Sequence, residues 1–559
     1  MALMAGRRAF LDILRAAGVQ YIFGNPGTTE LPLMDILVDY PDLQYILTLH
    51  EGVAMAMADG YALASGRLGV VNVHVAPGLG NAMGMLYDAT KTASPLLVTA
   101  GQQDGRYALT EPILWGDMVR MATPLTKWAY QVERVQDLPR ALRRAIKVAT
   151  TPPTGPVFLA LPMDIMMAEA DLDVSPPPQI APRIRGDLAA LERAAALLSQ
   201  AHQPLILAGD EVAKSDALAE LVAVAELLGA RVFAETVPNT TNFPSDHPLY
   251  QGALVRSQEA VRRTLQEADV VFAVGADMFT MSLYSDVEPL PPTVQVICLH
   301  PDAWEIGKNY PVAVAILGDP KATLAELLPL LQARLTPQAQ QAARQRLEVL
   351  RRAKAEALER LYEQAREEAS RQPMSPLVMN HTIATTVPEE VVIVDESITS
   401  GAGLRDFLPR RHARDYFGLK GGGIGWGLPA TMGVALALPQ RPVLGLIGDG
   451  SAMYSIQGLW TAARYGLRCI FVICNNRQYL ILKRRLHAYG GPAAKAQQYI
   501  GIDLAPPSIQ FVALAQALGV PAERVERPAD LQRALKEALQ RQGPTLLDVP
   551  LEAEFPVTA

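Results

Sequence analysis

Apolar and polar positions along the chain fall into a repeating pattern: a short apolar run, then a longer stretch with one apolar face, then another short run. The short runs read as buried strands and the longer stretches as covering helices. Their alternation predicts an α/β protein built on doubly wound parallel sheets. In the first part of the chain the strand candidates are 21–23, 44–49, 69–74, 96–100 and 156–161, with a helix over 52–64. A polar stretch over 168–185, containing Pro176, Pro177 and Pro178, reads as a linker. The middle part opens with a helix over 187–200, followed by strands at 204–207, 231–234, 270–274 and 294–299. A charged stretch over 337–372 reads as a solvated connecting helix. Strands at 391–394, 443–447, 469–473 and 545–549 then mark a third sheet. The pattern predicts three domains, 1–167, 186–336 and 373–559.

Composition narrows the picture. Half of the 559 residues are hydrophobic and 19% are charged, enough for large cores and too apolar for a disordered chain. The formal net charge of −7, without a basic tract, argues against general nucleic-acid binding. No apolar run is long enough to span a bilayer. Residues 1–18 carry Arg7, Arg8, Asp12 and Arg15 at spacings that read as an amphipathic first helix, not a signal peptide. The cysteines Cys298, Cys469 and Cys474 are odd in number and sit in strand-like runs, which points to buried thiols in a reducing cytoplasm. None pairs with a histidine at zinc-finger spacing.

The chemistry concentrates in GDGSAMYSIQGLWTAARYGLRCIFVICNN, from Gly448 to Asn476. A strand delivers the chain to Gly448-Asp449-Gly450, where two glycines permit close backbone approach to a ligand. A helix carrying Leu459, Trp460 and Ala463 is expected to follow, with its N-terminus facing an anionic diphosphate. The next strand returns the chain to Asn475-Asn476 at the same sheet edge, where α/β ligands bind. A carboxylate and an amide oxygen are hard ligands suited to Mg2+. Either half alone is an ordinary turn or loop. Together they resemble the motif of thiamine-diphosphate-dependent enzymes.

The resemblance extends over essentially the whole chain. It is strongest to the benzoylformate decarboxylases within the 2-oxo-acid decarboxylase and carboligase family, with acetolactate synthases more distant. It rests on FGNPGTTELP (23–32), HEG (50–52), NVHVAPGLGNAMG (72–84), VTAGQQ (98–103), GDGSAMYSIQGLWTAA (448–463) and FVICNN (471–476). It implies a pyrimidine-binding, a central and a diphosphate-binding domain, in that order. It further implies thiamine diphosphate and Mg2+ as cofactors, a 2-oxo acid and possible aldehyde acceptor as substrates, and a homodimer or homotetramer with cofactor sites between subunits. Glu51 takes the place of the glutamate that hydrogen-bonds the aminopyrimidine, although a glutamate also ordinarily complements a helix N-terminus. His74 matches a proton-transfer histidine, and Thr28 falls where a serine contacts the substrate carboxylate. Asp449 and Asn476 match the metal-binding side chains, with Gln478 adding its backbone carbonyl. Gly422 matches the residue whose carbonyl receives the aminopyrimidine, and Ile424 the apolar wedge that bends the cofactor. Thr399, Ser400, Gly448, Gly450, Ser451 and Tyr479 complete the expected cofactor contacts.

Three departures concern the substrate. Ser282, in GADMFTMSLY, stands where the benzoylformate enzymes have a second catalytic histidine. Leu480 and Ile481 replace smaller residues, and Arg485 stands near the place of an aromatic one. A carboligase or lyase is therefore the alternative reading. A non-catalytic protein that kept the fold is a further one, against which Glu51 argues, since binding alone needs no such carboxylate. GADMF after a strand is too short to count as a flavin signal.

Overall fold

The computed structural model describes residues 2–282 and 284–553. Contacts divide them into two units. One comprises 1–180, 369–402 and 419–559, the other 181–368 and 403–418.

The first unit holds two parallel sheets. In the first sheet the strands are β1 (Tyr21–Gly24), β2 (Gln44–Leu47), β3 (Gly69–Val73), β4 (Leu96–Gln102), β5 (Ala129–Gln131) and β6 (Val157–Pro162), in spatial order β2-β1-β3-β4-β6-β5. The central strands β3, β4 and β6 are buried at every position, as expected where helices cover both faces of a sheet. Two of the covering helices matter below: α1 (Glu51–Ser65), capped by the His50 imidazole, and α2 (Val75–Lys91).

The second unit contains the middle sheet: β7 (Pro204–Ala208), β8 (Arg231–Ala234), β9 (Tyr250–Ala253), β10 (Val270–Val274), β11 (Gln295–His300) and β12 (Val314–Leu317), ordered β9-β8-β7-β10-β11-β12. Asp187 caps the helix Leu188–Gln200 that enters it. The predicted connecting helix runs from Pro337 to Glu368 and buries only Ala343, Ala365 and Glu368.

The third sheet returns to the first unit, with β13 (Val392–Glu396), β14 (Val443–Gly448), β15 (Cys469–Asn475), β16 (Ala522–Arg524) and β17 (Thr545–Pro550) in the order β13-β14-β15-β17-β16. Every pairing among these five strands is parallel. Their order repeats β1-β3-β4-β6-β5 of the first sheet. Helix α3 (Gly427–Ala437) precedes β14, and α4 (Asp449–Ser455) follows it. The three parallel sheets read from the sequence are thus present.

Helices α1 and α3 join the two sheets of the first unit. They run antiparallel at close quarters: a Cβ on Gly60 would overlap the Ala430 backbone, and one on Gly433 would overlap the Met57 carbonyl. Tyr465 adds a polar tie, its hydroxyl accepting from Leu47 N at 2.8 Å and donating to the Tyr45 carbonyl at 3.0 Å.

Three local expectations need correction. Residues 2–5 are a strand before the first helix, which begins at Gly6, and they pair antiparallel with Glu169–Leu172 in the stretch read as linker. The helix after Gly448 is broken: α4 ends at Ser455, and Leu459, Trp460 and Ala463 lie on a separate helix, Gly458–Arg464. The helix that starts at the Gly-Asp-Gly turn is therefore α4. All three cysteines are buried and free, as expected.

Candidate active site

In an open parallel sheet, ligands bind beyond the carboxyl ends of the strands where the strand order reverses. In the first sheet that point lies between β1 and β3. Asn25 follows β1, His74 follows β3, and Glu51 opens α1 after neighbouring β2. Glu51 is 5% exposed, and its carboxylate accepts from Asn81 Nδ2 at 3.0 Å and from Asn25 Nδ2 at 3.5 Å. Gly78 passes so close that a Cβ there would press on Glu51 Oε1 at 3.0 Å. The carboxylate thus stands between two neutral amides, with no cation paired to it among the described residues.

His74 caps the same edge. Its Nδ1 lies 2.7 Å from Glu30 Oε2 and 3.3 Å from Thr29 Oγ1. A carboxylate only accepts, so Nδ1 carries the proton. The bond to Glu30 raises the imidazole pKa above its ordinary value, against a smaller opposing effect of burial. Glu30 is itself held from three further directions: it accepts from Gly27 N at 2.9 Å, Gly101 N at 2.8 Å and Thr29 Oγ1 at 2.9 Å. A Cβ on Gly27 would overlap the His74 ring, so the glycine makes room for it. Val75, directly after His74, has φ +44°, a costly conformation for a β-branched residue. Thr28 is exposed beside this group, at the start of a short 3-10 turn.

The third sheet presents the matching edge. Asp449 begins α4 at the end of β14, and Asn476 follows β15. Asp449 Oδ1 accepts from Gly450 N at 2.8 Å, and Oδ2 accepts from Arg477 N at 2.5 Å, which fastens the two turns together. Asn476 Oδ1 accepts from Gln478 N at 3.1 Å. Asp449, Asn476 and Gln478 are all buried. Burial lifts the Asp449 carboxyl to about 6, and no cation faces it among the described residues. A buried carboxylate without a counter-charge, beside an amide oxygen, suits a hard divalent cation. Gly450 is required by Tyr479, whose ring a Cβ would overlap.

Next to this turn, Thr399 and Ser400 follow β13, with Thr399 half-buried and Ser400 buried. The Ser400 carbonyl accepts from Asn380 Nδ2 at 2.7 Å. Ile398 between them and the strand has φ +56°, a second β-branched residue in the left-handed region. Gly422 also has positive φ, +86°, and is exposed; Ile424 is half-buried in the same loop. Ser451 lies in the first turn of α4 and is hydrogen-bonded to Glu396.

Sequence reasoning missed Glu30, Asn25 and Asn81, which orient His74 and Glu51, and also Glu396, Asp59 and Asp88, described below. Glu30 and Asn25 stood inside FGNPGTTELP and Asn81 inside NVHVAPGLGNAMG, and polar side chains embedded among glycines and hydroxyls at a strand end were the available signal. Among the departures, Ser282 is exposed, Leu480 is buried, Ile481 is half-buried, and Arg485 is half-buried with no partner among the described residues.

Within one chain Glu51 and Gly422 stand far apart. Trp426 Nε1 donates to Asp59 Oδ2 at 2.6 Å, so the loop before α3 meets α1 about eight residues beyond Glu51, roughly 12 Å along the axis. Gly423 N donates to Asp88 Oδ1 at 3.0 Å, and Asp88 lies roughly 15 Å along α2 from Gly78, the neighbour of Glu51.

Comparison with known proteins gives a consistent result. Residues 4–119 match the thiamine pyrophosphate enzyme N-terminal TPP binding domain, 191–327 the central domain and 401–549 the C-terminal TPP binding domain. Benzoylformate decarboxylase of Pseudomonas aeruginosa is 34% identical over 98% of this chain and 99% of its own. The acetolactate synthase isozyme 1 large subunit of Escherichia coli is 28% identical over 98% and 94%. The crystal structure of benzoylformate decarboxylase from Polynucleobacter necessarius superposes with a TM-score of 0.86 at 30% identity, covering 99% of each chain. With glutamate and histidine at the edge of the first sheet, the Gly-Asp-Gly and Asn-Asn turns at the edge of the third, and likeness along the full length, the chain belongs to the thiamine pyrophosphate enzyme family.

Proposed function

We propose that the protein decarboxylates a 2-oxo acid with thiamine diphosphate and Mg2+. The observation that carries this reading is the pairing at one sheet edge of Glu51, a carboxylate held by neutral amides, with His74, an imidazole kept protonatable by Glu30. Bound thiamine diphosphate supplies a nucleophilic carbon and an electron sink for cleavage next to a carbonyl. Asp449, Asn476 and the Gln478 carbonyl hold Mg2+, with Gly448, Gly450, Ser451, Thr399, Ser400 and Tyr479 around the diphosphate. The Gly422 carbonyl would receive the amino group of the pyrimidine, and Ile424 would pack against the cofactor. Glu51 shares a proton with the pyrimidine ring. Thr28 donates its hydroxyl hydrogen to the substrate carboxylate. His74 delivers a proton from Nε2 to the product carbon while Nδ1 stays on Glu30.

Glu51 and the Gly422 carbonyl must grip one pyrimidine ring, only a few ångströms across. Their separation within one chain supports a site completed by a second copy, with Glu51 from one subunit and the Gly422 loop from the other. A homodimer is the smallest unit in this proposal, and a homotetramer of two such pairs is compatible with it. The exposed apolar residues Leu109, Ile113, Tyr454 and Ile500 support such burial between copies. Free, buried cysteines support a reducing, cytoplasmic setting. Among the described residues no helix is long and apolar enough to cross a membrane.

Ser282 favours carboligation as a second outcome. A serine hydroxyl does not shuttle protons near neutral pH as an imidazole does, and slower product protonation leaves time for an aldehyde acceptor to react. The test is product analysis with benzoylformate, pyruvate and a dicarboxylic 2-oxo acid, each alone and then with an aldehyde. Carbon dioxide release from at least one is expected. Release from none, with cleavage of a 2-hydroxy ketone instead, would overturn the decarboxylase reading.

A further inference from the structure

Three buried carboxylates from three different elements converge on the loop Lys420–Gly427. Asp59 on α1 accepts from the Trp426 indole at 2.6 Å and from Thr92 Oγ1 at 2.9 Å. Asp88 on α2 accepts from Gly423 N at 3.0 Å. Glu396, the last residue of β13, accepts from Gly425 N at 2.7 Å with Oε1 and from Gly427 N at 2.5 Å with Oε2. All three are at most 1% exposed. The glycines of the loop answer to these contacts: a Cβ on Gly421 or Gly423 would overlap the Asp88 carboxylate, and one on Gly427 would press on Glu396. Gly422 and Gly425 have φ of +86° and +102°, which the loop's path demands.

We propose that Glu396 is a positioning residue for the cofactor: by engaging its two carboxylate oxygens on the Gly425 and Gly427 amides, it fixes the Gly422 carbonyl and the Ile424 side chain in the arrangement the pyrimidine ring needs. This rests on the assignment of Gly422 and Ile424 to that ring. Glu396 spans both ends of the cofactor site, since it also bonds Ser451 in the Gly-Asp-Gly turn. Burial raises its carboxyl to about 7, and the amide donors on both oxygens oppose that rise. Asp88 buttresses the loop from the other side with one oxygen only. Its Oδ2 is buried without a partner, and burial with the nearby Asp59 and Glu396 charges lifts its carboxyl to about 8.

The two acids therefore respond differently to the same change. A glutamine at 396 must turn an N–H towards a backbone N–H, losing one acceptor and opposing two donors. An asparagine at 88 can leave its carbonyl on Gly423 N and place its amide where Oδ2 has no partner. Two measurements test this. The first is amide hydrogen exchange across Lys420–Leu428 in the full chain without cofactor. Glu396→Gln is expected to speed exchange at least about tenfold more than Asp88→Asn does. The second is hydrogen–deuterium exchange at C2 of saturating bound thiamine diphosphate, which Glu396→Gln is expected to slow at least about tenfold. If Glu396→Gln does not fold, Glu396→Asp, which keeps both acceptors but withdraws them by one carbon, is expected to show both effects. Unchanged amide exchange would overturn the hold on the loop. Faster amide exchange with a wild-type C2 rate would overturn the positioning role. Failure of the unaltered protein to bind thiamine diphosphate would count against the cofactor assignment, while amide exchange still reports on the loop.

Discussion

His74 Nδ1 and Glu30 Oε2 lie 2.7 Å apart, and this bond fixes both the tautomer and the charge preference of the imidazole. Because the folded pKa of His74 is raised, the pair stabilises the protein fully below the ordinary histidine range and loses that contribution as pH rises through the raised value. Glu30→Gln removes the charge that raises it. The alkaline limb of the pH–rate profile is expected to move to lower pH. A limb that does not move would show that His74 protonation does not limit turnover.

Asp449→Ala removes the carboxylate that the Arg477 amide holds in place, the charged metal ligand in the proposed site. Calorimetric titration with thiamine diphosphate and Mg2+ is expected to show affinity at least about tenfold weaker. Unchanged affinity would remove Asp449 from the metal site.

Glu51→Gln keeps the contacts to Asn25 and Asn81 within reach but cannot take up a proton. C2 exchange on bound cofactor is expected to slow at least about 100-fold, with a thermal midpoint near that of the wild type. A wild-type exchange rate would reduce Glu51 to a charge at a helix end.

The contact between α1 and α3 makes a stability prediction. A methyl on Gly433 meets the Met57 carbonyl, backbone that cannot step aside cheaply. Gly433→Ala is expected to cost about 1–3 kcal/mol in denaturant unfolding. No loss would show that the two helices part easily.

The interior of each sheet was legible in the sequence because a strand covered on both faces must be apolar throughout, as Val70-Val71 in β3 and Leu444 to Ile447 in β14 are. The strands of the three parallel sheets that the sequence did not reveal include Ala129–Gln131, Tyr250–Ala253, Val314–Leu317 and Ala522–Arg524, and these four are edge strands with incomplete burial. Their pairing comes from a neighbour distant in sequence, and their own composition carries little of it. The site divides in the same way. Residues in fixed motifs, such as Asp449 and Asn476, could be named from spacing and resemblance. Glu30, Asp88 and Glu396 matter through backbone amides or a ring that folding brings beside them, which no spacing reveals.

The central claim is that Glu51 of one chain acts on cofactor held by Asp449 of another. Mixing the inactive variants Glu51→Gln and Asp449→Ala by unfolding and refolding, or by co-expression, tests it most directly. In a mixed dimer one site carries both changes and the other carries neither. Random pairing then restores roughly a quarter of wild-type activity. Persistent inactivity of a mixture shown to contain mixed dimers would contradict the account and confine each site to a single chain.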